Sequence, residues 1–102
     1  MVQEEEKLTK IIFGNMHNDN MNLLFYYSDS CGACRDYLSV ADKLSKAFKI
    51  TLQKQNIDEI KPQYELQGIP TLILENNGVE IWRSIGNVPF QQIYKDLKDY
   101  VS

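Results

Sequence analysis

The sequence predicts an α/β domain built on a mixed sheet, and three observations carry that prediction. Short apolar runs alternate with helix-periodic stretches along the chain. The last two runs are joined by a hairpin signal, Asn76-Asn77-Gly78. The composition is that of an ordinary globular domain, with 43% hydrophobic and 25% charged residues in 102. That length fits one domain, spanning residues 1–102, and no internal repeat, linker or second domain is visible.

The elements follow in order. Leu8, Ile11, Ile12 and Met16 fall at helical spacing within residues 4–17, so a helix is expected there, with a short strand near Lys7–Ile12 as the rival. His17 to Asn20 is a polar turn, and His17 reads as a surface residue. Leu23-Leu24-Phe25-Tyr26-Tyr27 is an unbroken apolar and aromatic run, which predicts a central strand buried on both faces. Ser28-Asp29-Ser30 then supplies helix-capping side chains. Cys34, Tyr37, Leu38, Ala41, Leu44 and Phe48 form one apolar stripe, predicting an amphipathic helix over roughly 31–48. Ile50–Ile57 alternates weakly and reads as a second strand. Asp58–Leu66 reads as a short helix with Pro62 in its first turn. Leu72-Ile73-Leu74 is another buried strand, Val79–Arg83 returns from the hairpin, and Gly86 to Pro89 breaks it. Phe90, Ile93, Tyr94, Leu97 and Val101 mark a last amphipathic helix.

Charge and hydropathy exclude several function classes. A net charge of −3 lacks the basic footprint of a nucleic-acid binder. No apolar run approaches the ~18 residues that span a bilayer, so no membrane partner is expected. The acidic start, Met1 to Glu6, does not match the basic region of a signal peptide, and the expected location is cytoplasmic; a chain lacking its leader would read the same. A monomer is expected.

The two cysteines, Cys31 and Cys34, concentrate the chemistry. A structural bridge between them gains little, because short loops gain least from a cross-link. A structural zinc needs four ligands, and the chain offers these thiols and His17 with no second CxxC. The reading that remains is a pair cycling between dithiol and disulfide, with no separate cofactor. Cys31 sits where a buried strand meets a helix, and the unpaired N–H groups and partial positive charge there favour thiolate. The dipole moves a thiol from about 8.5 toward 7. Cys34, one turn in and on the apolar stripe, is the less exposed sulfur. Cys31 therefore attacks a substrate disulfide and Cys34 resolves the mixed disulfide.

Ser30-Cys31-Gly32-Ala33-Cys34-Arg35, followed by Asn56-Ile57-Asp58, by Gly68-Ile69-Pro70-Thr71 and by the Asn77-Gly78 hairpin, resembles the thioredoxin family, most firmly over residues 22–101. The resemblance implies a thioredoxin-like three-layer fold with four to five strands flanked by helices. It implies that Pro70 is cis and faces the sulfurs. Ser30, Gly32, Ala33, Ile57, Ile69, Ile85 and Gly86 would line a shallow groove for an extended peptide. The implied partners are protein disulfide substrates and an upstream reductase.

The chain departs from the family pattern at three positions. Ser30 stands where the family has Trp, and Ala33 where it has Pro. Ala33 frees an N–H at the helix start, which is expected to stabilise thiolate and make the disulfide more oxidising. The family's buried acid, which assists proton transfer, falls on Phe25, while its accompanying Lys has a match in Lys54. Proton transfer then passes to water or to Lys54. The leading expectation is a thiol–disulfide oxidoreductase, working as a reductase because cytosolic pools keep thiols reduced. The alternative is a thioredoxin-fold adaptor with a vestigial CxxC, motivated by Ser30 and Phe25.

Overall fold

The computed structural model describes residues 20–101. The expected first helix or strand and His17 lie outside the described residues. Four strands and two helices follow in the order β1 (Met21–Tyr27), α1 (Gly32–Phe48), β2 (Thr51–Asn56), β3 (Thr71–Asn76), β4 (Val79–Ile85) and α2 (Phe90–Leu97). The strands form one sheet in the order β2-β1-β3-β4. β1 runs parallel to β2 and antiparallel to β3, and β3 is antiparallel to β4, so the sheet is mixed.

β1 is central because both of its faces are apolar. Successive side chains of a strand alternate between faces. Leu23 and Phe25 enter one core with Cys34, Tyr37, Ala41, Leu44, Leu72, Leu74, Ile93 and Leu97. Leu24 and Tyr26 enter a second with Ile73, over which Ile57, Tyr64 and Leu66 pack. Each Leu, Ile or Phe among them, fully buried, stabilises the fold by about 1.5–3 kcal/mol. Both helices lie against the first core, where α1 buries Cys34, Tyr37, Ala41 and Leu44 and α2 buries Ile93 and Leu97. α1 ends at Lys49 in the left-handed conformation, φ 58°, with its N–H on the Ser45 carbonyl. The hairpin turn places Asn77 and Gly78 at φ 55° and 81°, the two positive angles that a two-residue turn of this kind needs.

One expectation is corrected. Residues 58–66 are not a helix; residues 57–70 run as irregular turns and bends across the second face of the sheet. Lys61 precedes Pro62, and the proline ring disfavours helical backbone at the residue before it. The segment also has better partners outside itself. Asp58 N–H donates to Asn56 Oδ1 at 3.0 Å. Gln63 Nε2 and the Tyr64 hydroxyl both donate to Glu75 on β3. Arg83 on β4 donates to the Glu65 carbonyl at 2.9 Å. Among the described residues, then, the layer on this face is a pinned crossover rather than a helix. Also among the described residues, no helix is long and apolar enough to cross a membrane.

Candidate active site

The topology gathers the site at one end of the sheet. β1 ends at Tyr27, and its continuation enters α1 through Ser28-Asp29-Ser30-Cys31. The Cys31 N–H donates to the Ser28 carbonyl at 3.1 Å, which closes this turn. Cys31 is the N-cap of α1, with φ −94° and ψ 102°. Its Sγ accepts the Cys34 N–H at 3.1 Å, in the place where a capping oxygen ordinarily sits. The two sulfurs are joined as a disulfide across Cα atoms 5.2 Å apart.

The two sulfurs have different surroundings. Cys31 is half-buried, whereas Cys34 is 1% exposed within the apolar core. Gly32 is exposed, and a Cβ built on it would meet nothing within 4 Å, so solvent or a substrate chain has free approach beside Cys31. Behind the sulfurs the wall is aromatic. Phe25 is 1% exposed, stacks on Tyr27 with centroids 5.5 Å apart and meets Tyr37 at 6.5 Å. Tyr37 donates its hydroxyl to the Val88 carbonyl at 2.6 Å, and burial pushes its phenol up to about 12. It therefore keeps its proton at neutral pH and offers no base to Cys34.

The other predicted residues converge on the same end. The Ile57 N–H donates to the Tyr27 carbonyl at 2.8 Å. Thr71 faces Tyr26 of β1 and Ile85 of β4, which brings Ile69-Pro70 and Ile85-Gly86 beside the β1 terminus. The Ile69–Pro70 bond is cis and Pro70 is buried. The Gly86 N–H donates to the Pro70 carbonyl at 2.8 Å, and a Cβ on Gly68 would lie 3.7 Å from Ile85 Cγ2. Gly86 has φ +86°, a conformation that disfavours any side chain there. Ser30 and Ile85 are exposed, while Ala33, Ile57 and Ile69 are half-buried. Lys54 stands apart. It is exposed on β2, the outermost described strand on that side of the sheet, in register with Phe25, and so on the sheet face that α1 covers.

Sequence reasoning missed a polar knot on the solvent side of this loop. Ser28 donates to Asp58 Oδ2 at 3.1 Å, and the Asp29 N–H donates to the same oxygen at 3.0 Å. Asn56 Nδ2 donates to Asp29 Oδ1 at 3.0 Å. The local signal was Ser, Asp and Asn clustered at strand ends, which only the pairing of β1 with β2 turns into a network. Among the described residues, no group of three or more His, Cys, Asp or Glu could hold a metal ion.

The comparisons agree with this geometry. The thioredoxin family model matches residues 4–99. The chain is 30% identical over 77 residues to Thioredoxin 1 of Chlorobaculum tepidum, covering 71% of this chain and 76% of that protein. It is 32% identical over 83 residues to a thioredoxin of Rhodospirillum rubrum, covering 76% and 79%. A solved structure of a mutant thioredoxin from Halobacterium salinarum shares the fold, with a TM-score of 0.75 at 22% identity over 86% of this chain and 80% of that one.

Proposed function

The chain belongs to the thioredoxin family and is a thiol–disulfide oxidoreductase, and from that premise we propose that it reduces protein disulfides, with Cys31 attacking and Cys34 resolving. The observation that carries this order is the contrast between a half-buried Cys31 at the helix cap and a Cys34 that is 1% exposed. The Cys31 thiolate attacks one sulfur of a substrate disulfide and releases the other as a thiolate, which takes a proton from solvent. Cys34 then loses its proton and attacks Cys31 Sγ. The Cys31–Cys34 disulfide forms, the second substrate sulfur leaves as a thiol, and two electrons have passed to the substrate. An upstream reductase returns two electrons and two protons.

Ser30, Gly32, Ala33, Ile57, Ile69, Ile85 and Gly86 form the proposed substrate groove, supported by their convergence at the β1 terminus and by exposed Ile85. Pro70 shapes its floor. Lys54 is the proposed cation drawing negative charge toward Cys34, and water takes the proton, since Phe25 offers no carboxylate. The sulfurs themselves carry the electrons, so no cofactor is called for. The proposed working form is a cytoplasmic monomer. All the groups it needs come from one chain, and both of the chain's cysteines are used in the redox pair. Insulin-disulfide reduction with dithiothreitol tests the reading. Precipitation faster than the uncatalysed background is expected, and a rate equal to background would leave the adaptor role instead.

A further inference from the structure

The geometry points to Asp58 as a positioning residue for the reactive sulfur: acting through Ser28, it holds the Ser30 hydroxyl proton away from Cys31 and so sets how readily the disulfide is reduced. This inference rests on the oxidoreductase reading above and goes beyond it. Ser28 is 7% exposed, and its hydroxyl meets three groups. It donates to Asp58 Oδ2 at 3.1 Å, accepts the Ser30 N–H at 3.2 Å and lies 3.0 Å from the Ser30 hydroxyl. A serine hydroxyl has one proton and two acceptor lone pairs. With the Ser28 proton on Asp58, the only arrangement that satisfies the third contact has Ser30 donating to Ser28.

The direction of the whole chain, Ser30 to Ser28 to Asp58, is therefore dictated by the carboxylate. The Asp29 N–H on the same Asp58 oxygen anchors the arrangement at a second point. Ser30 is the residue next to Cys31, and its proton is the hydroxyl donor nearest in sequence to the attacking sulfur. Where the reduced protein carries a Cys31 thiolate, the cap N–H groups of α1 stabilise it without help from Ser30. Removing the acceptor at Ser28, or replacing the carboxylate at 58 with an amide that can itself donate, frees the Ser30 proton to turn to the thiolate. A hydrogen bond to a charged group favours the dithiol form.

The test is the equilibrium of the full chain with glutathione. In it the Cys31–Cys34 dithiol gives two electrons and two protons to glutathione disulfide, which becomes two glutathione thiols. Alkylation of acid-quenched mixtures and mass spectrometry read the dithiol fraction. Ser28→Ala and Asp58→Asn should each shift the equilibrium toward dithiol by about tenfold, the size of one hydrogen bond to a charged group. Ser30→Ala alone should stay near wild type, and Ser28→Ala with Ser30→Ala should lose the shift, a coupling that general loosening of the loop would not produce. Should Ser28→Ala fail to fold, Asp58→Asn with and without Ser30→Ala makes the same comparison. Wild-type equilibria in Ser28→Ala and Asp58→Asn would overturn the proposal, and so would a shift that survives Ser30→Ala. Insulin reduction by wild type, run in parallel, separates the two claims. Its absence sinks the reductase reading, whereas the glutathione equilibria judge Asp58 alone.

Discussion

The two walls of the CxxC loop are built on opposite principles. The inner wall, around Cys34, is dry: Cys34 is 1% exposed in one apolar core with Phe25 and Tyr37, and Tyr37 keeps its proton up to about 12. The outer wall, beside Cys31, is a hydrogen-bonded lattice in which Ser28, Asp29, Asn56 and Asp58 satisfy one another. An apolar wall lowers the tendency of a thiol to ionise, because burial disfavours the charged form. A helix cap raises it. On the proposed mechanism, placing one sulfur against each wall separates the nucleophile from the resolving thiol, and among the described residues the core that Cys34 enters holds no carboxylate.

The sharpest break of that contrast is removal of either sulfur. Cys31→Ser and Cys34→Ser should both abolish insulin reduction. Only Cys34→Ser should keep a fast-reacting thiol and accumulate mixed disulfides, detected by mass spectrometry after exposure to a disulfide substrate. Accumulation on Cys31→Ser instead would exchange the roles of the walls.

Wetting the inner wall is the next largest change. Phe25→Asp removes a fully buried ring and installs an unpaired acid, so a loss of about 3–5 kcal/mol in urea unfolding is expected. The loss should grow with pH. Burial holds the new carboxyl above its unfolded value of about 3.9, so any stability it contributes is present only below that value and is lost as pH rises through the folded one. In the reduced protein, thiolate absorbance near 240 nm should change from one step to two coupled steps, and turnover near neutral pH should rise. Two coupled steps already in wild type would mean that the inner wall holds an acid.

Much of this contrast is legible in the sequence, and the part that is not has a physical reason. The apolar run of β1 has no alternative to a two-faced burial, and the stripe from Cys34 to Phe48 places Cys34 inward by period alone. Asn77-Gly78 announces its own turn through the positive φ angles it adopts. Residues 58–66 fail as a helix because Gln63, Tyr64 and Glu65 bond to β3 and β4, partners that no local window contains. The outer wall is hidden for the same reason. Ser28 and Asp58 are 30 residues apart and meet only because β1 and β2 pair in parallel. Lys54 is readable as a match to a family position, while its exposure on β2 is a fact of the tertiary fold.

Two smaller effects sharpen the comparison. Tyr37→Phe removes the hydrogen bond to Val88 and should cost about 1 kcal/mol at neutral pH. The folded phenol titrates at about 12 against 10.0 for the free group. Its contribution is thus complete below pH 10 and is lost as pH rises toward 12. Urea midpoints of wild type and variant should converge across that window, and a constant gap would mean that Tyr37 is not the group held protonated. Lys54→Gln, at an exposed site, should change stability by no more than ~0.5 kcal/mol. It should slow release of the mixed disulfide by a few-fold, read as a longer-lived intermediate in quenched samples.

The most direct test of the division between walls is the order in which the reduced sulfurs react. Iodoacetamide is added in limiting amount to the reduced chain at neutral pH, and peptides are quantified by mass spectrometry. Label is expected on Cys31 well before Cys34, by at least about tenfold, since one sulfur sits at the helix cap and the other is 1% exposed. Equal labelling, or label first on Cys34, would contradict it.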